Sequence, residues 1–295
     1  MKHTKLETLV IGVSGGLDST LALLIAHRTF TLLGYDHRNI IGVSMPGLGT
    51  SDRTKNNAKE LMDKLGITYL ELPINEEVLS HFKLIEHDPE DRDITYENTQ
   101  ARERTQILMD IANMEGGLVI GTGDLSELIL GWCTYNGDHM SMYCVNGNIP
   151  KTLVRYLVNY FGIKETNSEC KKTIQDILDT PISPELLPPT KDGKIAQQTE
   201  SLVGPYVLHD FFLYHFMRYG ASPEKIKYIA LQVFDGMYDE ETITKWLKFF
   251  IKRFFNQQFK RSCLPDGVKV GTIGVSPRGD LRLPSDADSS NWLDI

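Results

Sequence analysis

Thr8–Ser19 reads TLVIGVSGGLDS, and the fold is decided there. An apolar, β-branched run over 8–13 ends in Ser14-Gly15-Gly16 and gives way at Ser19 to helical spacing. An unalternating run bounded by a glycine loop predicts a buried parallel strand. The helix predicted over 19–33 carries Leu21, Leu24 and Ile25 and meets Gly34 at its end. Glycine there can adopt the left-handed conformation that terminates a helix.

Working outward, NIIGVS over 39–44 predicts a second strand. A helix follows over 51–65, with Ala58, Leu61, Met62 and Leu65 on one face, and a third strand over 68–72. The order β-α-β-α-β favours an open parallel sheet with right-handed crossovers. A long helix is predicted over 96–115, a fourth strand over 117–121 and a short helix over 124–132. Another helix is predicted over 150–161, with Pro150 in its first turn and Gly162 as its stop. Beyond about residue 165 strand signals cease; helices are predicted over 169–178, 206–219, 223–234 and 240–258, then an irregular tail from 266. The stretch 179–204 is rich in Pro, Thr and Gln and too long for an ordinary connection, which marks it as functional or mobile. The fold class expected is α/β: an open, Rossmann-like parallel sheet flanked by helices, with a helical C-terminal region.

The 295 residues allow one large domain or two modest ones of ~150 residues. Lys and Arg total 31 against 39 Asp and Glu, a net charge of −8. That disfavours a general nucleic-acid binder, whose affinity comes largely from neutralising phosphates. A small anionic ligand stays open, because a metal or a local cluster can supply the positive charge. No stretch approaches the ~18 apolar residues of a membrane span, and the N-terminal apolar run is too short for a signal-peptide core. Cys133, Cys144, Cys170 and Cys263 lack C-x-x-C spacing, which predicts reduced thiols rather than disulfides or a zinc site. A cytoplasmic protein with no membrane and no nucleic-acid partner is expected.

Two glycines in the first loop let the backbone approach an anion, and the free N–H groups of the helix start can surround phosphate oxygens with Ser14 and Ser19. Asp18 cannot face a phosphate without repulsion, so it implies a bridging Mg2+. A P-loop is excluded, since no G-x-x-x-x-G-K-[ST] spacing is present, and so is the G-x-G-x-x-G fingerprint. A rival stays open. Gly12-Val13-Ser14-Gly15-Gly16 satisfies G-x-S-x-G, the nucleophile elbow of a serine hydrolase using Ser14. That reading needs a late His on a loop, whereas His209 and His215 fall within an apolar helical stretch. The plainest alternative is a tight turn in which Asp18 only caps the helix. A second candidate segment, Gly121-Thr122-Gly123-Asp124-Leu125-Ser126-Glu127, follows the fourth strand at the sheet edge where ligands bind. Asp124-x-x-Glu127 also reads as a capping box serving only the helix start.

The first loop resembles the S-G-G-x-D-S signature of the N-type ATP pyrophosphatases, whose fold is adenine-nucleotide α-hydrolase-like. Over the whole chain the resemblance is to the NAD synthetase family within that group. It is carried by GTGDLSELILGWCTYNGDHM over 121–140, VNGNIPKTLVRYL over 145–157 and YENTQAR over 96–102. ISPEL over 182–186, GPY over 204–206, DFF over 210–212, FKRS over 259–262 and SPRGD over 276–280 add to it. The run after Trp132 is closer to the synthetase half of glutamine-dependent members. The short ammonia-dependent members show Phe-Thr-Lys-Tyr-Gly-Asp-Gly-Gly there, so their lysine has no counterpart.

The resemblance implies an ATP-dependent ligase that amidates deamido-NAD through an acyl adenylate, releasing AMP and pyrophosphate. It assigns Ser14, Gly15, Gly16, Leu17, Asp18, Ser19, Thr122, Lys151 and Ser183 to ATP, and Asp18 and Glu127 to Mg2+. It assigns Asn98, Arg102, Glu127, Trp132, Cys133, Thr134, Tyr135, Lys260 and Asp280 to deamido-NAD. Asp138, Lys151 and Asp280 are the expected catalytic residues, with Asp138 near the ammonium. The loop 179–204, which contains Ser183, would close over ATP. A homodimer is implied, with the helices over 96–115 and 150–161 as candidate contacts. The expected organisation is a core over 1–164 and an extension over 165–295, packed as one synthetase domain. The first strand begins within eight residues of Met1, which leaves no room for a glutaminase domain. An excised domain, or a chain fed by free ammonia or a separate glutaminase, is therefore expected.

Overall fold

The structure, a computed structural model, describes residues 1–164, 168–180 and 199–295. Five strands form one parallel sheet in the order β3-β2-β1-β4-β5. They are β1 (Thr8–Gly12), β2 (Ile40–Ser44), β3 (Thr68–Glu71), β4 (Gly117–Gly121) and β5 (Tyr143–Cys144). Strand β1 pairs with β2 through Val10 opposite Ile41, and with β4 through Val10 opposite Val119. The chain leaves β1 toward β2 on one side and returns to β4 on the other. Such a reversal opens a crevice at the carboxyl ends of β1 and β4, where open α/β sheets bind ligands.

Alternation along the strands sorts two cores. Leu9, Ile11 and Val13 belong to a core shared with α1 (Leu17–Leu33), α2 (Asp52–Leu65), α6 (Lys151–Lys164) and α7 (Ser168–Leu178). Val10, Ile41 and Val43 face α3 (Asn75–Leu84) and α4 (Ile94–Met114). A third core joins α5 (Leu125–Leu130) to α9 (Tyr206–Tyr219), α10 (Pro223–Val233) and α11 (Glu240–Asn256). Short helices α8 (Thr199–Val203) and α12 (Gln258–Arg261) flank that unit. Arg261, 1% exposed, donates to the carbonyls of Ile129 and Phe254 and ties α5 to α11. Among the described residues no helix is long and apolar enough to cross a membrane. The four cysteines are free thiols.

The α/β expectation holds, with local corrections. Helix α1 begins two residues earlier than its spacing suggests, because Gly16, not Asp18, is its N-cap. Helix α3 and strand β5 escaped the sequence reading. In α3 only Val78 and Phe82 are buried, and β5 is two residues long. Helix α6 does not stop at Gly162 but runs to Lys164. A Cβ at Gly162 would collide with Ile174, so this glycine serves the close packing of α6 on α7. The 240–258 helix breaks after Asn256 into α11 and α12.

Candidate active site

A cavity of about 830 Å3 lies at the carboxyl ends of β1 and β4. Its floor is the loop after β1. Gly15 has φ of 86°, and a Cβ there would strike the carbonyl of Thr54, so only glycine suits the turn. Gly16 caps α1 with no side-chain hydrogen bond, which leaves first-turn N–H groups of a 17-residue helix open toward the cavity. Ser14 Oγ accepts from Gly16 N–H at 3.2 Å and lies 3.2 Å from Ser19 Oγ. The loop after β4 is tied to this one by Asn146, fully buried, whose Nδ2 donates to Asp18 O at 2.8 Å and Thr122 O at 3.0 Å.

Lys151 Nζ stands between these loops. It lies 2.6 Å from Asp18 Oδ2, 2.8 Å from Glu127 Oε1 and 2.6 Å from Asp124 Oδ2. Burial alone would lower the Lys151 ammonium, but Asp124, Asp18 and Glu127 together hold it well above the usual lysine range. Burial pushes Glu127 up to about 7 against the pull of Lys151, and raises Asp124 as well. The capping box is half present: Asp124 Oδ1 accepts from Glu127 N–H at 2.9 Å, while the Glu127 carboxylate turns to Lys151. Lys151 opens α6, whose start is fixed from α9. Asp210 Oδ2 accepts from Thr152 N–H at 3.0 Å and from its hydroxyl at 2.7 Å. Asp210 also accepts from Ser126 Oγ, which itself accepts Lys151 N–H at 2.8 Å.

The opposite wall descends from the C-terminal end of α5. Three of its carbonyls face cations. Arg253 Nε donates to Leu130 O at 2.7 Å, and Lys260 Nζ donates to Gly131 O at 2.8 Å and Cys133 O at 2.6 Å. Arg253 also lies over the Trp132 ring, 5.7 Å from its centroid. Asn98 and Arg102 share one face of α4, as their spacing predicts. Asn98 Oδ1 accepts from Thr134 Oγ1 at 2.7 Å and Arg102 Nε donates to Tyr135 O at 3.2 Å. Asp138 Oδ1 accepts Thr134 N–H at 2.7 Å. Asp138 is exposed toward the cavity, and the solvation it loses to the surrounding walls raises its carboxyl. Lost solvation also lowers Lys260.

Most expected residues line this one cavity: Ser14, Gly16, Leu17, Asp18, Ser19, Asn98, Arg102, Thr122, Glu127, Trp132, Cys133, Thr134, Tyr135, Asp138, Lys151 and Lys260. Gly15 shapes the loop from behind. Asp280 is elsewhere, in an ion pair with Lys269. Ser183 lies outside the described residues, as does most of 179–204. Three participants were missed. Asp124 looked like a cap and is one, which hid its second oxygen. Asn146 stood in the VNGN run without a role. Arg253 reads as an ordinary position on an amphipathic helix. No histidine lines the cavity among the described residues, so Ser14 has no histidine base of the kind the Ser-His hydrolase reading needs.

Carboxylate oxygens of Asp18, Asp124 and Glu127 lie within 4.8 Å of one another. Asp18 Oδ1 is buried without a hydrogen-bond partner. Of the three, Asp18 and Glu127 open to the cavity, and their hard oxygen donors fit a divalent cation such as Mg2+.

The NAD synthase family profile matches residues 1–227. The glutamine-dependent NAD(+) synthetase of Mycobacterium leprae is 43% identical over 97% of this chain and 45% of its own length. That of Thermotoga maritima is 31% identical over 94% of this chain and 44% of its own. A crystal structure of a glutamine-dependent NAD(+) synthetase from Cytophaga hutchinsonii superposes with a TM-score of 0.79 at 19% identity, over 100% of this chain and 53% of that one. The chain thus spans less than half the length of these two curated relatives. On the family profile and these identities together, the chain belongs to the NAD synthase family.

Proposed function

We propose that the chain amidates deamido-NAD to NAD at the expense of ATP, through an acyl adenylate, with ammonia as nitrogen donor. The single observation that carries this is the shared cavity. The open start of α1 and the Asp18–Glu127–Lys151 cluster face the same space as Asn98, Arg102 and the 132–138 wall.

Two polyanions must meet there, so repulsion is the main obstacle. The loop 14–19 and Thr122 would bind the ATP phosphates, with Lys151 neutralising charge. A divalent cation held by Asp18 and Glu127 would neutralise the triphosphate and the leaving pyrophosphate. Asn98, Arg102, Trp132–Tyr135 and Lys260 would place the nicotinate carboxylate in line with the α-phosphate. Positioning of this kind is worth several orders of magnitude. The carboxylate oxygen attacks the α-phosphate and pyrophosphate departs. Ammonia then attacks the acyl carbon and AMP departs. Asp138, with its raised carboxyl facing the cavity, would hold the ammonium and accept its proton. Asp280 would complete the deamido-NAD site only by giving up Lys269. Ser183 and the stretch 179–204 would close over ATP and keep water from the adenylate.

We take 1–164 as the ATP-pyrophosphatase core and 165–295 as its extension. That they form one unit is supported by α7 packing on α2 and α6, and by α5 packing on α9 and α11. A cytoplasmic homodimer using α4 and α6, and a glutaminase domain in a longer parent, complete the proposal. Exposed Leu153, Tyr156 and Tyr160 on α6 support that contact. Incubation with deamido-NAD, ATP, Mg2+ and ammonium should release AMP and pyrophosphate, one of each per NAD. ADP and phosphate would contradict it. Glutamine should not replace ammonium with the 295-residue chain.

A further inference from the structure

Lys151 Nζ lies where a cation held by Asp18 and Glu127 would lie, 2.6 and 2.8 Å from their oxygens. Ammonium and divalent cation cannot share those two carboxylates. Asp124 differs from both. Its side chain is 0% exposed, against 23% for Asp18 and 19% for Glu127, and it does not line the cavity. Its Oδ1 is spent on the N–H of Glu127. Its Oδ2 is buried, has no well-aligned hydrogen bond, and faces Nζ from 2.6 Å behind the site.

Charge gives the arrangement a purpose. With all three carboxylates ionised, the single ammonium leaves an excess of two negative charges in the cluster. A divalent cation cancels it. Once Asp18 and Glu127 turn to that cation, Lys151, 2% exposed, has one carboxylate left. Without it, a buried charge would be stranded beside a like charge, which is strongly unfavourable.

We propose that Asp124 is a positioning residue: it holds the Lys151 ammonium behind the site while Asp18 and Glu127 exchange that ammonium for a divalent cation. This rests on the reading of Asp18 and Glu127 as cation ligands. Asp124 acts through Lys151 and is not itself a ligand.

The test is Mn2+ binding to the 295-residue chain without nucleotide, followed by electron paramagnetic resonance. Lys151→Met should bind more tightly than the parent chain, because the competing ammonium is gone. Asp124→Asn keeps the cap oxygen and should weaken binding at least about tenfold. In the Lys151→Met background the same substitution should change affinity by less than about threefold, as sites coupled through a removed partner become independent. Asp124→Ser, which also retains a cap oxygen, should repeat the pattern and covers a folding failure of Asp124→Asn. Equal losses in both backgrounds would make Asp124 a ligand and overturn the proposal; so would no loss in the parent. Asp18→Asn and Glu127→Gln separate the two levels. If both abolish binding while Asp124→Asn is silent, only this proposal fails. If both bind as the parent does, or if neither the parent nor Lys151→Met binds Mn2+, the cation reading fails with it.

Discussion

At Gly15 a φ of 86° and the carbonyl of Thr54 leave no room for a side chain. Gly15→Ala should therefore cost about 1–3 kcal/mol of stability from strain alone. It should also weaken ATP binding at least about tenfold, because the turn aims the open N–H groups of α1. Thermal unfolding and calorimetric ATP titration check the two effects; unchanged ATP affinity would detach the loop from nucleotide binding. This residue was legible in the sequence because S-G-G-x-D-S joins glycines, hydroxyls and a carboxylate at one strand end. Asp124 was only half legible. Its capping spacing is real, and a motif already explained by one oxygen gives no hint of what the other does. Lys151 was assigned to ATP from resemblance, but its partners Asp18 and Glu127 sit in the first turns of α1 and α5, 133 and 24 residues away, which spacing cannot pair.

The first four strands and the long helices followed from local pattern, since each carries its own apolar periodicity and its own stop signal. Failures came where tertiary contacts set the outcome. Gly162 looked like a helix end and is a packing contact; β5 is held in the sheet by pairing rather than by propensity. The start of α6 is the element on which the site depends most, and its cap comes from α9. Asp210→Ala would orphan Thr152 N–H and the Ser126 hydroxyl. Its expected cost is about 1–3 kcal/mol, with a loss of turnover larger than the loss of stability because Lys151 shifts. Activity unchanged at permissive temperature would show that α6 is positioned without it. Helix α9 also carries His209, buried among Phe212, Trp246 and Phe250 and donating Nε2–H to Val203 O at 2.6 Å. Burial lowers it from 6.5 to about 4. Between those values the unfolded chain binds a proton that the folded chain refuses. The stability that His209 contributes is thus complete above about pH 6.5 and is lost as the pH drops toward 4, by up to about 3 kcal/mol. Denaturant unfolding of the parent chain and of His209→Gln across that range should differ by this amount, the variant losing less stability toward pH 4; identical pH profiles would contradict it.

Across the whole molecule, a net charge of −8 surrounds a cavity expected to take two anionic nucleotides. The conflict is resolved locally. The open start of α1, Lys151, Arg102, Arg253 and Lys260 line the same cavity, and the carboxylates gathered at its base fit a divalent cation. Sequence order could not show that the 14–19 loop and the 132–138 wall face each other; the reversal of strand order at β1 and β4 brings them together. The central claim is that the nicotinate carboxylate is adenylated in this cavity. Its most direct test uses deamido-NAD labelled with 18O in that carboxylate, with ATP, Mg2+ and ammonium, and mass analysis of the products. Attack on the α-phosphate followed by displacement by ammonia must leave one labelled oxygen in AMP and one in the NAD amide. Label in pyrophosphate or phosphate, or AMP released without it, would contradict the account.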